Sequence, residues 1–582
     1  MVTRLVGVRD GGIVNSVLIG GTVTHNVEEV NAQLISVLKK LQVNPASPIL
    51  PKQTFPDLPP LSKSDVDFIL RHMSKGKALT FDLISDIIFS KDFHEKTAVI
   101  VRDLWNGELT NSLQDVHFEA RLIPLNKKHP DVPKPEDFRP IVVMSPLVKL
   151  LEARLLNKLQ KVLEEDLHRS QTGFVPGLDI YVNLHRAVQR IQKRTEAGNP
   201  AFCLFLDFKS AYNTIPHEDL FKKLRGACSE DEIQLIRAIY SRLTIVLGKE
   251  RMKSNVGVAQ GSMISPALFD IYAEDLLEEL NTAGLDLEDL SAYADDHLII
   301  CDSLEQLRAS IQVTKNWCDK SGISLNPRKS GILEIRPRRK RKFLLRVGSE
   351  VEGIPVVDSY RYLGLLLDQK LTGDAHIRAM DQKISFLNRR LAPLLGKVSL
   401  DYRINLWKTL ARPLYNPLLA LAVGNNLGRV YKLERNLKGS LKLFAGLCKS
   451  TSDLVLQKLL PFEIERLALE QKNVATWKWR LRKERLPVKE IPKIKAFKTP
   501  LLPKNFIKFN NLTKAECKVC GSGLRANSYH LSSIHGLTTP SPVQLLNDLE
   551  AKFPRSGKIK ARKINFEKRA EHIQGYISFI VK

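Results

Sequence analysis

Residues 290–301 read LSAYADDHLIIC. Apolar residues stand on both sides of the pair Asp295-Asp296, the pattern of a hairpin with acids at its tip. Residues 201–207 read AFCLFLD, an apolar run rich in aromatics, bounded by Pro200 and closed by Asp207. That run predicts a buried strand with a carboxylate at its C-terminal end. Burying an unpaired carboxylate is costly, and two neighbouring ones repel each other. A divalent cation between them offsets both effects. Mg²⁺ takes oxygen ligands and is held by one or two carboxylates together with substrate phosphates. Asp207, Asp295 and Asp296 are the candidate ligands of such a site. Two ions about 3.5–4 Å apart would stabilise the attacking and leaving oxygens of an in-line phosphoryl displacement. Taken alone, Asp295-Asp296 reads equally well as a turn or cap pair.

The chain around these acids is strongly basic. Its 582 residues carry 89 Lys plus Arg against 63 Asp plus Glu, a net charge of +26. A hydrophobic share of 43% supports real cores and excludes a disordered basic tail. With 31 Gly and 30 Pro, collagen-like and low-complexity chains are excluded too. At roughly 100–200 residues per domain, three to five domains are expected. The charge calls for a polyanionic partner, either nucleic acid or an anionic membrane surface. Seven cysteines fit a reducing compartment without a disulfide framework. The N-terminus has no secretory h-region, and no window approaches the ~18 apolar residues of a membrane span. Periodicity predicts helices over 27–41, 62–89 (with Ser62 and Ser64 as N-caps) and 147–163, with a Pro-rich linker at 44–60. Residues 375–490 read as mostly helical and increasingly basic. Between 471 and 518 there are 14 Lys/Arg against 3 acids, so the positive excess gathers there.

Eight short motifs in order change the weight of the acidic pair. Tyr293-Ala294-Asp295-Asp296 resembles the YxDD signature of reverse transcriptases. Asp207 in FLDFKSAYNTI resembles polymerase motif A, and AQGSMISPALFDIY (259–272) resembles motif B. GISLNPRKS (322–330) resembles motif D, and YRYLGL (360–365) resembles motif E. Upstream, RLIP (121–124), DFRPI (137–141) and QTGF (171–174) resemble the fingers motifs and the segment after them. The chain is thereby identified as similar to non-LTR (LINE-type) retrotransposon reverse transcriptases over residues 60–370, with group II intron reverse transcriptases as cousins. The resemblance implies a right-hand polymerase, α/β and α+β, with a helical thumb. It implies an N-terminal extension and linker (1–60), fingers (61–200) and a palm (201–370) interrupted by a fingers segment at about 215–258. A basic thumb (371–505), a zinc knuckle (506–540) and a basic tail (541–582) follow.

The resemblance also implies roles. Asp207, Asp295 and Asp296 would hold two Mg²⁺, which Mn²⁺ can replace, with the Phe208 carbonyl as a further oxygen and Asp296 less directly bound. Tyr212 would place a bulky ring where a 2′-OH collides, favouring dNTPs over rNTPs; its plain alternative is packing. Gln260 and Gly261 would lie against the incoming nucleotide, where Gly permits close backbone approach. Arg139 is a fixed cation suited to the triphosphate. The lysine usual after the Ile-Pro of the first fingers motif is replaced by Leu125, leaving Lys127 or Lys128 as substitutes. Lys329 matches the motif D lysine that would protonate the pyrophosphate leaving group.

Cys517-x2-Cys520-x9-His530-x4-His535 offers two thiolates and two imidazoles at structural-zinc spacing, closing the tetrahedron. It resembles the knuckle of LINE-type proteins with a restriction-like endonuclease, although that knuckle is usually CCHC and the second pair here is His-His. The 47 residues after His535 (582 − 535) and the ~60 before the fingers fall short of an endonuclease domain, so the nick is expected in trans. RPRRKRK (336–342) reads as a nuclear localisation signal, a nucleic-acid contact or a solvated loop. Trp477 and Trp479 suit stacking on nucleic acid, but at i, i+2 they cannot share a helix face, so one belongs to a core. KIKARK (558–563) reads as a basic arm.

The expected function is RNA-templated DNA synthesis by two-metal phosphoryl transfer from dNTPs, primed from a target-DNA 3′ end on the element's own RNA, without a membrane. Nuclear action after cytoplasmic RNP assembly is the expected location. Two alternatives are a group II intron maturase-type reverse transcriptase and a domesticated RNA-binding protein with a silent palm. D295N should abolish primer extension while sparing RNA binding, measured by extension and filter binding on one preparation; full extension by the variant would overturn the metal-site assignment.

Overall fold

The computed structural model describes residues 13–447 and 464–485 apart from 43–48, 58–61, 73–79, 84–97, 100–112, 129–130, 338–342, 396 and 423–426. The chain divides into two compact units, Met1–Leu447 with Ala468–Glu490, and Cys448–Leu467 with Ile491–Lys582. The architecture below is that of the first.

A hairpin, β1 (Val17–Ile19) and β2 (Thr22–Thr24), leads into helix α1 (Val27–Gln42). Buried Val30, Leu34, Ile35 and Leu38 form a stripe at three- and four-residue spacing, as the periodicity predicts. This N-terminal piece is packed rather than dangling: Val14 N donates to Pro124 O and Leu18 N to Pro133 O. Helix α2 (Lys63–His72) is much shorter than the expected 62–89. Among the described residues, 80–83 form a turn in which Thr80 bonds Asp82 and Leu83 has φ +59°, a conformation no helix can carry.

Strands β3 (Glu119–Asn126) and β4 (Phe138–Val143) run antiparallel from Arg121↔Val143 to Asn126↔Phe138. Helix α3 (Pro146–Glu165) starts at Ser145, whose hydroxyl accepts from Leu147 N, with Pro146 preset for the first turn. Helix α4 (Ile180–Glu196) starts at Asp179, whose carboxylate accepts from Tyr181 N. Then come β5 (Ala201–Leu206), the short β6 (Phe208–Lys209) and helices α5 (Ala211–Thr214), α6 (His217–Leu224) and α7 (Glu230–Arg242). The chain returns through β7 (Thr244–Leu247) and β8 (Glu250–Met252) to complete a sheet ordered β4-β3-β7-β8. Residues 119 and 252 thus share a sheet, although the palm's first strand lies between them in sequence.

Helix α8 (Ser265–Thr282), strands β9 (Leu290–Tyr293) and β10 (Asp296–Cys301), helix α9 (Leu304–Ser321), β11 (Ser324–Leu325) and β12 (Gly331–Ile335) follow. The central antiparallel sheet is ordered β12-β5-β10-β9. Strand β5 is internal and buried at every residue, which is why AFCLFL shows no alternation. Hairpins β13 (Glu350–Val351) with β14 (Ile354–Pro355) and β15 (Ser359–Tyr362) with β16 (Leu365–Asp368) come next. The ring of Tyr360 stacks on Phe205, 4.2 Å between centroids and 9° between planes. The chain continues into helices α10 (Asp374–Leu395), α11 (Leu400–Leu406), α12 (Leu427–Ala445) and α13 (Ile464–Lys483). Helix, central antiparallel sheet and trailing helical segment follow the right-hand polymerase plan. No helix among the described residues is long and apolar enough to cross a membrane.

Candidate active site

Strand β5 ends at Leu206 and so delivers Asp207 to one end of the central sheet. Strand β10 begins there with Asp296, and the register His297↔Leu206 carried one step further sets Asp296 opposite Asp207. Tyr293 pairs with Asp296 across a two-residue turn, Ala294-Asp295. The turn is tight enough to force Ala294 to φ +53°. Asp295 and Asp296 are accessible to solvent but lie in a cleft where surrounding protein displaces most of the water. That desolvation raises the Asp295 pKa, the charge of Asp207 adds to it, and Arg139 opposes it. Asp296 is pushed up to about 6 by burial, then by Asp295 and Asp207. Asp207 is held from the other side by the 322–330 segment. Its N–H donates to Ser330 Oγ (3.1 Å), its carbonyl accepts from Asn326 N (2.8 Å), and its Oδ2 accepts from Asn326 Nδ2 (2.9 Å).

Among the described residues no three His, Cys, Asp or Glu side chains close into a metal cage. The donor set nevertheless fits Mg²⁺: the groups are hard oxygens set close together, and burial and neighbouring negative charge raise the proton affinity of Asp295 and Asp296, which a divalent cation relieves. Phe208, whose carbonyl is the further candidate ligand, is buried with its ring edge-on to His297 and Trp317, 5.5 and 5.6 Å between centroids.

Cations face the acids. Arg139 lies on β4 and is exposed. Partial burial lowers the Lys127 pKa; Lys329 and Arg139 lower it further, while Asp137 and Asp207 oppose them. Lys127, Lys329 and Arg139 therefore form one group reaching toward Asp207. The backbone N–H of Lys128 donates to Asn126 Oδ1. Lys329 is exposed, and its carbonyl accepts from the Tyr360 hydroxyl (2.9 Å).

Tyr212 stacks on Phe269, 4.6 Å between centroids and 10° between planes. Burial, then Asp270 and Asp295, raises its pKa, which puts the ring beside the catalytic turn. Its carbonyl accepts from Val258 N (2.6 Å). Gln260 O accepts from Val142 N (2.7 Å), tying this loop to β4. Gly261 has φ +134°, and a Cβ there would overlap Val142 O, so no other residue fits without moving β4.

Three residues of this region escaped the sequence reading. Glu152, on α3, is fully buried and accepts from Met263 N (2.9 Å) and the Ser262 hydroxyl, pinning the loop that carries Gln260 and Gly261. Burial pushes its carboxyl up to about 7. Its signal was a lone acid on the apolar stripe of LVKLLEARLL. Asp270, on α8, is buried with both oxygens lacking a hydrogen-bond partner among the described residues. Gln171 was read only as part of a motif, yet its side chain bonds the backbone of the turn, Nε2 to Ala294 O (3.1 Å) and Ala294 N to Oε1 (2.9 Å).

The tryptophan pair divides as expected into one core and one surface residue. Trp479 is the core member of the Trp477/Trp479 pair, 7% exposed, with the Arg186 guanidinium 3.2 Å from its ring centre and its indole N–H donating to Glu288. It has no face left for a base; Trp477, 41% exposed, does. Arg336 pairs with buried Glu334 rather than standing free. Residues 338–342, the zinc-type ligands Cys517, Cys520, His530 and His535, and the 558–563 arm lie outside the described residues.

Acids at one sheet end and a cation group that includes strand-borne Arg139 thus lie near a loop that presents glycine and glutamine. Residues 126–367 match the reverse transcriptase (RNA-dependent DNA polymerase) family. Over 334 residues the chain is 25% identical to the RNA-directed DNA polymerase from mobile element jockey of Drosophila melanogaster, covering 52% of this chain and 36% of that protein. Over 261 residues it is 29% identical to the Pol polyprotein of retrotransposable element R2 of Popillia japonica, covering 41% of this chain and 36% of that protein. The solved telomerase of Candida albicans in complex with a telomeric RNA fragment aligns with a TM-score of 0.36 at 13% identity, over 63% of this chain and 62% of that one. Residues 126–367 are thus similar to reverse transcriptases, and these two relatives come from non-LTR mobile elements. The chain spans about a third of the length of the curated relatives it matches.

Glu152 carries a pH signature. Its folded-state pKa of about 7 lies above the ordinary 4.5, so its proton stabilises the fold at low pH and that contribution is lost as pH rises from 4.5 through 7. E152Q keeps the shape and the acceptor oxygen but cannot ionise. Relative to wild type, it should gain stability on the order of 3 kcal/mol between pH 5 and pH 8. Thermal or urea unfolding at the two pH values checks this, and an unchanged difference would refute it.

Proposed function

We propose that this chain is an RNA-directed DNA polymerase that extends a DNA primer 3′ end on an RNA template, consuming dNTPs. The observation that carries it is one sheet end where Asp207, Asp295 and Asp296 meet Lys127, Arg139 and Lys329, with the Tyr212 ring beside the turn. Reverse transcriptases as a family use Mg²⁺. Asp207, Asp295, Asp296 and the Phe208 carbonyl would hold it, and it would lower the barrier by neutralising charge on the reacting phosphate oxygens. The protein's own part is orientation and charge. Arg139 and Lys127 would bind the triphosphate, and Lys329 would give a proton to the leaving pyrophosphate. Gln260 and Gly261 line the nucleotide's seat, and Phe269 stiffens the Tyr212 ring that a 2′-OH would strike.

The template is proposed to be the parent element's RNA and the primer a target-DNA end, since the relatives come from non-LTR mobile elements. The +26 charge supports a polyanionic path for both strands, so affinity should fall steeply with salt. Cys517, Cys520, His530 and His535 are proposed to hold a structural Zn²⁺, supported by their spacing.

Primer extension on RNA and DNA templates, with dNTPs or rNTPs, tests the reading. Extension on RNA with dNTPs is expected. Y212F should keep sugar selectivity, whereas Y212A should admit ribonucleotides on the order of tenfold or more better, the scale of losing about 1.4 kcal/mol of steric discrimination. Absence of RNA-templated synthesis, or wild-type preference for rNTPs, would overturn the proposal. Metal analysis of the purified full chain should find one zinc, lost in C517S/C520S.

A further inference from the structure

The turn that carries Asp295 is strained and therefore must be held. A non-glycine residue at φ +53° costs on the order of 1 kcal/mol or more, and Ala294 has no side chain with which to hold itself. Gln171 does the holding. Its amide bonds both backbone groups of Ala294, and its Oε1 also accepts from Gly173 N (2.9 Å). The 170–173 segment lies against β9, with Thr172 N donating to Ala292 O and Ala292 N to Ser170 O, both 3.0 Å. A Cβ at Gly173 would overlap Ala294 N, so the approach is as close as backbones allow.

The segment is gripped in turn from far along the chain. Arg482, on α13, is 2% exposed. Its Nη1 donates to Leu163 O (2.7 Å) and Glu164 O (2.6 Å). Its Nη2 reaches Leu167 O (3.2 Å), His168 O (3.3 Å) and Gln171 O (3.2 Å). Leu163 and Glu164 are the open carbonyls of the last turn of α3. A planar guanidinium can spread over five carbonyls; an ammonium is a single point and cannot. Buried Asp270, sensed by both Asp295 and Arg482, lies in the same interior. Neighbouring Trp479 docks the same helix through Arg186 and Glu288.

We propose that Arg482 is a positioning residue for the catalytic turn, acting through Gln171 to hold Ala294, and so Asp295 and Asp296, in register with Asp207. The part of α13 that carries Arg482 then supports the turn that carries Asp295. This rests on the reading of the turn as the metal site, and the experiment separates the two. Mn²⁺ binding to the full chain is titrated by the free-ion EPR signal, without substrate, for wild type, D295N, Q171A, R482A, R482K and W479A. Thermal midpoints and steady-state extension are recorded alongside.

Wild type should bind Mn²⁺ and D295N should lose the site; if the two are alike, the metal-site reading itself fails. Given that site, Q171A, R482A and R482K should weaken Mn²⁺ about 10-fold and lower kcat by a similar factor with KM for dNTP nearly unchanged, the scale seen when groups supporting metal ligands are removed. W479A should lower the thermal midpoint yet leave Mn²⁺ affinity intact. Equal Mn²⁺ loss in W479A and R482A would show mere helix docking and overturn the proposal. So would unchanged Mn²⁺ affinity in Q171A, which removes the bond to the turn without disturbing α13.

Discussion

Repulsion among three carboxylates at one sheet end is the constraint around which this structure is built. Burial raises the proton affinity of Asp295 and Asp296, and the charge of Asp207 adds to both. Left to themselves, such groups would splay. They are kept together because each sits at the end of a strand that cannot move: β5 is internal and wholly buried, and β10 is laddered to it over five residue pairs. The same repulsion makes the site a receptor for hard cations and explains the ring of Lys127, Arg139 and Lys329 opposite.

Holding charges in place requires backbone to approach backbone. Gly173 against Ala294, Gly257 against Asn213 and Gly261 against Val142 are three places where a methyl group would separate the parts. Buried polar groups complete the work. Glu152 pins the loop that carries Gln260 and Gly261, and Arg482 ties the end of α3 to the segment behind the turn. A carboxylate and a guanidinium inside a protein are expensive unless their bonds are fulfilled. Here they satisfy main-chain groups that no neighbouring strand or helix could reach.

Much of this was legible beforehand. The strand 201–206, the hairpin at 290–301, the helix 27–42 and the long helix after Ser145 all follow from apolar period and cap chemistry. The helix expected over 62–89 was overestimated, because periodicity does not register a residue forced to positive φ such as Leu83. Trp477 and Trp479 could be assigned as one core and one surface residue, but not which was which. That depended on Arg186 and Glu288, nearly two hundred residues or more away.

The sequence by itself determined the chemistry: three acids at strand ends, a bulky ring five residues after the first, a Gln-Gly loop and a basic chain around them. Local rules suffice there, because strand period, turn residues and charge act over a few neighbours. The tertiary structure alone decided that β7 and β8 return to the sheet of β3, and that Gln171 and Arg482 stand behind the Ala294-Asp295 turn. Those contacts join residues separated by more than a hundred positions. They arise from which surfaces are left to bury once the local elements have formed, and no window of sequence contains both partners.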